Sequence, residues 1–561
     1  MDNLYLNSSA LILDPLRKDP CASSMKTLIH IIQTCMGPRA SLKLLQHHEG
    51  GGGILTSSSQ RLLQILSVKD KISAFIISTA KTQLKKFNDN GLCCLFLILK
   101  SIHHAVLTEY PLPIIGALYS HFSNLYIECL NSASNLSIVK IDFPNLEYLR
   151  LIVLSILNSK QGCVLTSKNK DFLASLILEA FVGNISSNKL LSNFNTSIIS
   201  MEGIDVNCSR LFQGVLVPIS KEDANRHQKI NKKIGPFRIA LFITSLAGES
   251  DCPIKNIVTD SSFSVAQAKL NQLEKIIEKV IAEKIDYLFC QKVIHPYLKK
   301  KLQCAGIPFL DRLGTEVTKY IQFISGGWAI TSLIVSEFSY GTISRSETVL
   351  IEGRNFLLFC SDDIPFFSLA LGNYNVQSLS ELQVVCQQIF NALYRVLCSR
   401  KVCYGAGCTE VYTAQLWAAK LKENSKFIQS EFGCTLGQLE FASSAFLKSV
   451  IDFCVALHQG THLDFVTDSV HGHLWKIQDG QFPNKTDHCA CGRHSALDID
   501  SWISLPDIGK SEHLQMSTKE SFQPSFKLLV LDELSCKESA FSLAFEVASM
   551  LLRTTVFIDN H

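Results

Sequence analysis

Four residues in one seven-residue stretch, His488, Cys489, Cys491 and His494, are of the types that hold a soft metal ion. Zinc takes four Cys or His ligands, ordinarily in pairs separated by two to four residues. Here the whole set is compressed into an H-C-x-C-x-x-H run, with His471 and His473 shortly before it. That is tighter than an ordinary finger, and the spacing favours a polar surface loop with incidental thiols over a metal centre. A second set is made of glycine turns: Gly37 with Pro38, Gly91 two residues after Asp89, and Gly405 with Gly407. Backbone amides of such turns can cradle phosphate, and an aspartate beside them can ligate Mg²⁺. The same glycines can also simply end helices and strands. Cys403 and Cys408 flank the last turn, but no neighbouring base marks either as a nucleophile, so core thiols are expected. His295-Pro296 reads as a helix start rather than a catalytic histidine, because proline suits the first helical turn. Lys299, Lys300 and Lys301 read as its solvated face.

The elements that must position these residues follow a helix, α/β, helix order. Leu28, Ile31, Ile32 and Cys35 share a helical face that stops at Gly37-Pro38. The glycine run 50–53 before Ile54-Leu55-Thr56 predicts a hairpin tip entering a strand. Apolar helical stretches follow through Ile65, over 74–86 and over 92–104, and the segment 140–190 is also helical. From about residue 204 the pattern changes. Phe212 to Pro218 and Arg238 to Thr244 are strand-like, and 264–284 is a strongly periodic helix with Leu270, Leu273, Ile276, Ile277, Val280 and Ile281 on one face. Tyr287 to Cys290 predicts a strand, His295 to Cys304 a helix, and Gly306 to Phe309 a further strand. This alternation indicates an α/β unit with crossover connections. Long helices return over 382–397, 411–422 and 537–553.

Composition narrows the class. The chain has 561 residues, which at about 150 per domain suggests three or four domains. Hydrophobic residues make up 47% and charged residues only 18%, against a typical level of about 25%, which excludes a disordered chain. With 53 basic and 50 acidic residues the net charge is only +3, which argues against nucleic acid as a partner. The first residues lack the basic and apolar regions of a secretory signal, so the 20 cysteines are expected to be reduced core fillers. No apolar run approaches the roughly 18 residues of a membrane-spanning helix, so no membrane insertion is expected.

The order of segments, together with several motifs, resembles the group II chaperonins, the cytosolic and archaeal double-ring ATPases. Met36-Gly37-Pro38-Arg39 resembles the family's LGPxG turn, with Ala40 where a glycine is usual. Ser57-Ser58-Ser59 stands in place of Asn-Asp-Gly. Asp89-Asn90-Gly91-Leu92 stands in place of Gly-Asp-Gly-Thr-Thr. Phe390-Asn391-Ala392 lies where a His-Asp-Ala carries the second catalytic aspartate, and Gly405-Ala406-Gly407 where the family has three glycines. The stretch from Lys537 to Arg553 resembles its C-terminal helix. Two segments, 290–296 and Gly407-Cys408-Thr409-Glu410, together with His471-Gly472-His473-Leu474-Trp475, resemble a narrower group of chaperonin-like proteins linked to cilia.

The resemblance implies an α+β multidomain chain of the group II chaperonin fold. A helical equatorial domain would comprise 1–135 and 401–561, with an insertion at about 468–525. A small intermediate domain would comprise 136–213 and 363–400, and an α/β apical domain 214–362. It implies an ATP and Mg²⁺ cleft around Gly37, Pro38, Asp89, Gly91, Gly405 and Gly407. Leu92 and Cys93 replace the hydroxyls after the glycine, and Asn391 carries no charge and is a poor base. The expectation is therefore little or no ATP hydrolysis, and no catalytic residue is assigned. The implied partners are other chaperonin-like subunits, the cytosolic chaperonin and, as client, a coat-like complex that carries cargo to cilia. The implied location is the cytoplasm and the centrosome or ciliary basal body. An active ring-forming foldase and a non-chaperone centrosomal adaptor are the alternatives.

Overall fold

The computed structural model describes residues 3–6, 9–46, 53–132, 134–141, 145–185, 196–230, 235–247, 265–332, 339–468, 471–477, 480–496, 499, 502–509 and 529–560. Most of the glycine run 50–53 and much of the 468–525 segment lie outside them. The chain forms two compact units, one of residues 1–174 with 380–561 and one of residues 175–379.

The first unit is predominantly helical. The helix Gly91–Ala105 is apolar on nearly every side and is buried almost throughout, as a helix with no polar face must be. Around it stand the helices Cys21–Gln33, Lys71–Phe87, Leu112–Asn131, Cys408–Phe432, Leu436–Leu457 and Leu534–Leu552. Aromatic rings lock them together. Trp417 meets Phe122 edge-on at 5.2 Å and stacks on Phe446 at 4.9 Å, and Tyr126 stacks on Phe541 at 5.5 Å. Asp70 caps the helix Lys71–Phe87 by accepting from Ser73, and Glu533 caps Leu534–Leu552 by accepting from Ser535 and Cys536. The strand Lys401–Tyr404 pairs antiparallel with Ile138–Lys140 on one side and Leu531–Glu533 on the other, placing the Gly405 turn beside the start of the last helix. The hairpin after the helix Cys21–Gln33 is present, Lys43–Leu45 pairing with Ile54–Thr56.

The second unit is richer in strands. Its four-stranded sheet runs in the order Phe309–Leu310, Tyr287–Cys290, Phe237–Phe242, Gly341–Ile343, with the first three parallel. Both faces are covered, so its strands are apolar at consecutive positions. Ala240, Phe242, Leu288 and Cys290 pack against Leu273, Ile276, Ile277 and Val280 of the helix Val265–Ala282 and against Leu298 and Leu302. Ile239, Leu241, Tyr287 and Phe289 face Ile321 and Ile324 on the other side. Of the periodic face read over 264–284, Leu273, Ile276, Ile277 and Val280 are buried, whereas Leu270 is half-buried and Ile281, near the helix end, is 50% exposed. His295 caps the helix Pro296–Cys304 by accepting from the Tyr297 amide, as a helix start should. The strand expected over Phe212 to Pro218 is in fact two, Arg210–Gln213 and Val215–Pro218, because the chain passes from one sheet to another at Gly214.

Candidate functional site

The glycine turns form as expected, but their backbones face protein atoms. Gly37 has φ +75°, and a methyl group there would sit 1.7 Å from the carbonyl oxygen of Leu457. Gln459 donates to the carbonyls of Gln33 and Met36 at 2.8 Å each, and Gln161 donates to that of Pro38 at 2.6 Å. Gly91 opens its helix beneath Leu84 and Leu63, whose side chains fill the space of a Cβ. Gly405 lies against Val530 and Asp532, and Gly407, at φ +85°, lies against Cys454. Smallness at all four positions is thus used for packing. Gly37 and Gly407 are brought to one region, the C-terminal part of the helix Leu436–Leu457, while Gly405 docks on the segment that enters the last helix.

Asp89 is half-buried and accepts from the Asn90 amide at 2.7 Å. Asn391 is half-buried on the helix Val376–Ser399 and brings an amide, not a base. Ser57, in the place of the family's aspartate-bearing turn, is tied to the fully buried Glu381. The Glu381 carboxylate accepts from Thr56 Oγ1 at 2.7 Å, the Ser57 amide at 3.0 Å and Ser57 Oγ at 3.2 Å, with Arg61 at 3.5 Å. Those groups are spent on one another. Leu92 and Cys93, where phosphate-facing hydroxyls would stand, are buried. This donor set does not fit a hydrolytic Mg²⁺–nucleotide centre.

Three largely buried ion groupings, not identified from the sequence, lie in the helical unit. Lys537 lies 2.8 Å from both Glu410 and Asp532. Burial opposes its charge, but Asp532 and Glu410 outweigh that and hold its pKa well above the ordinary lysine value. Asp452 lies 2.7 Å from Lys100, 2.9 Å from His104 and 2.8 Å from His462. Arg395 joins Glu533 at 2.9 Å and donates to the carbonyl of Phe87 at 2.9 Å.

The cysteine and histidine run, expected as a surface loop, is exposed at His488 but turns its two thiols inward. Cys489 and Cys491 are buried, and their thiols converge with Cys408 and His473 so that the four ligand atoms lie within 4.8 Å of one another. Neither His488 nor His494 belongs to this set. The sequence pattern found two of the four and missed Cys408 and His473. Their signal was present, in the glycine turn and in the His-Gly-His stretch, but nothing in the sequence joins those segments to Cys489. Burial opposes a thiolate at Cys489, yet hydrogen bonds with Cys408, Cys491 and His473 hold its pKa well below the ordinary thiol value. Burial pushes Cys408 and Cys491 up.

A helix-rich unit built from both chain ends, with a β-rich unit between them in sequence, suits a chaperonin, and comparison with known proteins agrees. The profile of the TCP-1/cpn60 chaperonin family matches residues 28–445, and the chain belongs to that family. It is similar to the molecular chaperone MKKS of Homo sapiens, 28% identical over 98% of this chain and 97% of that one, and to MKKS of Mus musculus, 27% identical over the same shares. It is also similar to the thermosome subunit alpha of Methanothermobacter thermautotrophicus, 22% identical over 79% of this chain and 78% of that one. Three of the four clustered ligands, His473, Cys489 and Cys491, lie beyond the family match. Among the described residues no helix is long and apolar enough to cross a membrane.

Proposed function

We propose that this chain is a chaperonin-like molecular chaperone that assists assembly of a ciliary trafficking complex. It acts with other chaperonin-like subunits and the cytosolic chaperonin, in the cytoplasm and at the centrosome or ciliary basal body, with little or no ATP hydrolysis. Membership of the chaperonin family supports the chaperone role. The likeness of the segment 290–296, of Gly407 to Glu410 and of 471–475 to cilia-linked chaperonin-like proteins supports the client. The equatorial, intermediate and apical division laid out above is part of the same reading.

The observation that carries the reading is the chemistry of the cleft in a chain of this family. Ser57 is bound to Glu381, Asn391 stands where a base is needed, and Leu92 and Cys93 stand where hydroxyls are needed. Binding, not turnover, is what remains, and nucleotide acts at most as a conformational ligand. The β-rich unit offers exposed apolar side chains for a client, Trp328 (79% exposed) and Leu350 (66%) foremost. Removing the protein from ciliated cells and sizing the cargo-coat complex by sedimentation tests the reading. Accumulation of unassembled coat subunits is expected, and a coat complex of normal size and amount would refute it.

A further inference from the structure

We propose that Cys408, His473, Cys489 and Cys491 form a structural zinc site that fastens the segment following residue 468 onto the start of the helix Cys408–Phe432. The residue types set the ion. Three thiols and one imidazole are a soft donor set of the kind that selects zinc, and four protein ligands with no open position make a structural rather than a catalytic centre.

The geometry fits that ion. The Cys489 and Cys491 sulfurs are 3.5 Å apart, and Cys491 Sγ is 3.4 Å from His473 Nδ1. A tetrahedral zinc with bonds of about 2.3 Å to sulfur places neighbouring sulfurs about 3.8 Å apart. The separation is far beyond the roughly 2.05 Å of a disulfide. All four residues are at most 3% exposed. Among the described residues no other group of three or more His, Cys, Asp or Glu side chains converges in this way.

The surroundings hold each ligand in place before an ion arrives. Cys489, Ala490 and Cys491 form a tight knuckle. The Gly492 amide donates to the Cys489 carbonyl at 2.8 Å, the Cys489 amide donates to the His494 carbonyl at 2.9 Å, and the His494 amide donates to the Cys489 sulfur at 3.2 Å. That last bond is the kind of outer contact that steadies a metal-bound thiolate. His473 sits in a turn gathered by the buried Asp468. Its carboxylate accepts from the amides of His471, Gly472 (3.3 Å) and His473 (3.4 Å), and from the indole of Trp475 at 2.9 Å. Cys408 is the first residue of its helix, where the positive end of the helix dipole favours a thiolate. Three thiolates around Zn²⁺ leave one net negative charge, and Arg493, over the Tyr404 ring at 5.7 Å, lies next to the knuckle.

A segment with so little regular structure has reason to need such a staple. The segment's sheet has only three short strands, Phe465–Asp468, Leu474–Lys476 and Trp502–Ser504. So little structure buries too small a core to hold itself. One ion would join the knuckle and the His473 turn to the helix that begins at the Gly405–Gly407 turn, and because the four residues converge only in the folded chain, its binding energy becomes folding energy.

The test uses the full chain, expressed in zinc-replete cells and purified without chelator. Elemental analysis is expected to find about one zinc per chain. The double variant Cys489→Ser/Cys491→Ser is expected to lose it, while Cys304→Ser, at an exposed thiol outside the cluster, keeps it. In case the double variant does not fold, the wild-type protein gives a second readout. A mercurial thiol reagent is expected to release the zinc to a chromogenic chelator, and Co²⁺ exchanged in its place is expected to show the intense visible and near-ultraviolet bands of a tetrahedral cobalt thiolate. Wild-type protein without stoichiometric zinc and without that cobalt spectrum, or zinc retained by the double variant, would overturn the proposal.

Discussion

The ammonium of Lys537 lies 2.8 Å from the carboxylate of Glu410, with both side chains at most 7% exposed. It joins the first turn of the last helix to the first turn of the helix that follows the Gly405–Gly407 turn, and Asp532 completes the triad at 2.8 Å. Removing one member of a buried pair strands the other, at a cost of about 3 kcal/mol or more. Lys537→Ala is therefore expected to lower unfolding stability by about that amount. Adding Glu410→Gln to it is expected to recover part of the loss, because the stranded charge is gone. Denaturant unfolding of both variants checks this, and strictly additive losses would show that the pair does not couple.

Gly37→Ala is expected to cost at least about 2 kcal/mol, combining a left-handed backbone with an overpacked contact. Its methyl group would fall 1.7 Å from Leu457 O, a backbone atom that cannot rotate away. Gly306→Ala serves as the comparison. It has a similar φ of +70° but open space around the new methyl, so about 1 kcal/mol is expected. Equal shifts in the two melting midpoints would mean that the packing of the Gly37 turn on Leu457 is not tight.

Acid should weaken the helical unit through Asp452. Burial opposes its charge, but His104, His462 and Lys100 outweigh that and hold its carboxyl well below the usual carboxylate range. Its folded pKa lies under the unfolded value, so its contribution is complete above about pH 4 and is lost as the pH falls from there toward the depressed folded value. Asp452→Asn is expected to be less stable than wild type at neutral pH. Below about pH 4 that gap should narrow by roughly 1.4 kcal/mol per pH unit. Melting midpoints measured from neutral to acid give the comparison, and a gap that does not change with pH would contradict the assignment.

Steady-state ATP hydrolysis by the purified chain is expected to be on the order of 100-fold or more below that of an active chaperonin subunit, the contribution of a positioned base. Asn391→Asp alone is expected not to restore it. Leu92 and Cys93 would remain in place of hydroxyls, and Ser57 would still be engaged by Glu381. Turnover at the rate of an active subunit, in either protein, would mean that the cleft is catalytic.

What could be read from residue order was whatever repeats locally. Leu273, Ile276, Ile277 and Val280 announce a helix because that helix must bury one face on a sheet, and the helix found, Val265–Ala282, falls within two residues of the reading. Gly37-Pro38 and Gly405–Gly407 announce turns because few residues accept those backbones. Side-chain partners brought together by the fold leave no such mark. Glu381 meets Ser57, and Cys408 and His473 meet Cys489, only after helices and strands distant in sequence have packed. That is why the seven-residue run His488 to His494 pointed to its own two histidines and not to Cys408 and His473. The two residues that join Cys489 and Cys491 come from a helix start and a strand-flanking turn.

The central claim is that this chain works as a chaperonin-like subunit within an assembly, and native purification tests it most directly. The full-length protein, captured under native conditions from the cytosol of ciliated cells and sized, is expected to elute in a complex far larger than one chain, with other chaperonin-like subunits present. A protein recovered solely as a monomer free of them would contradict the account.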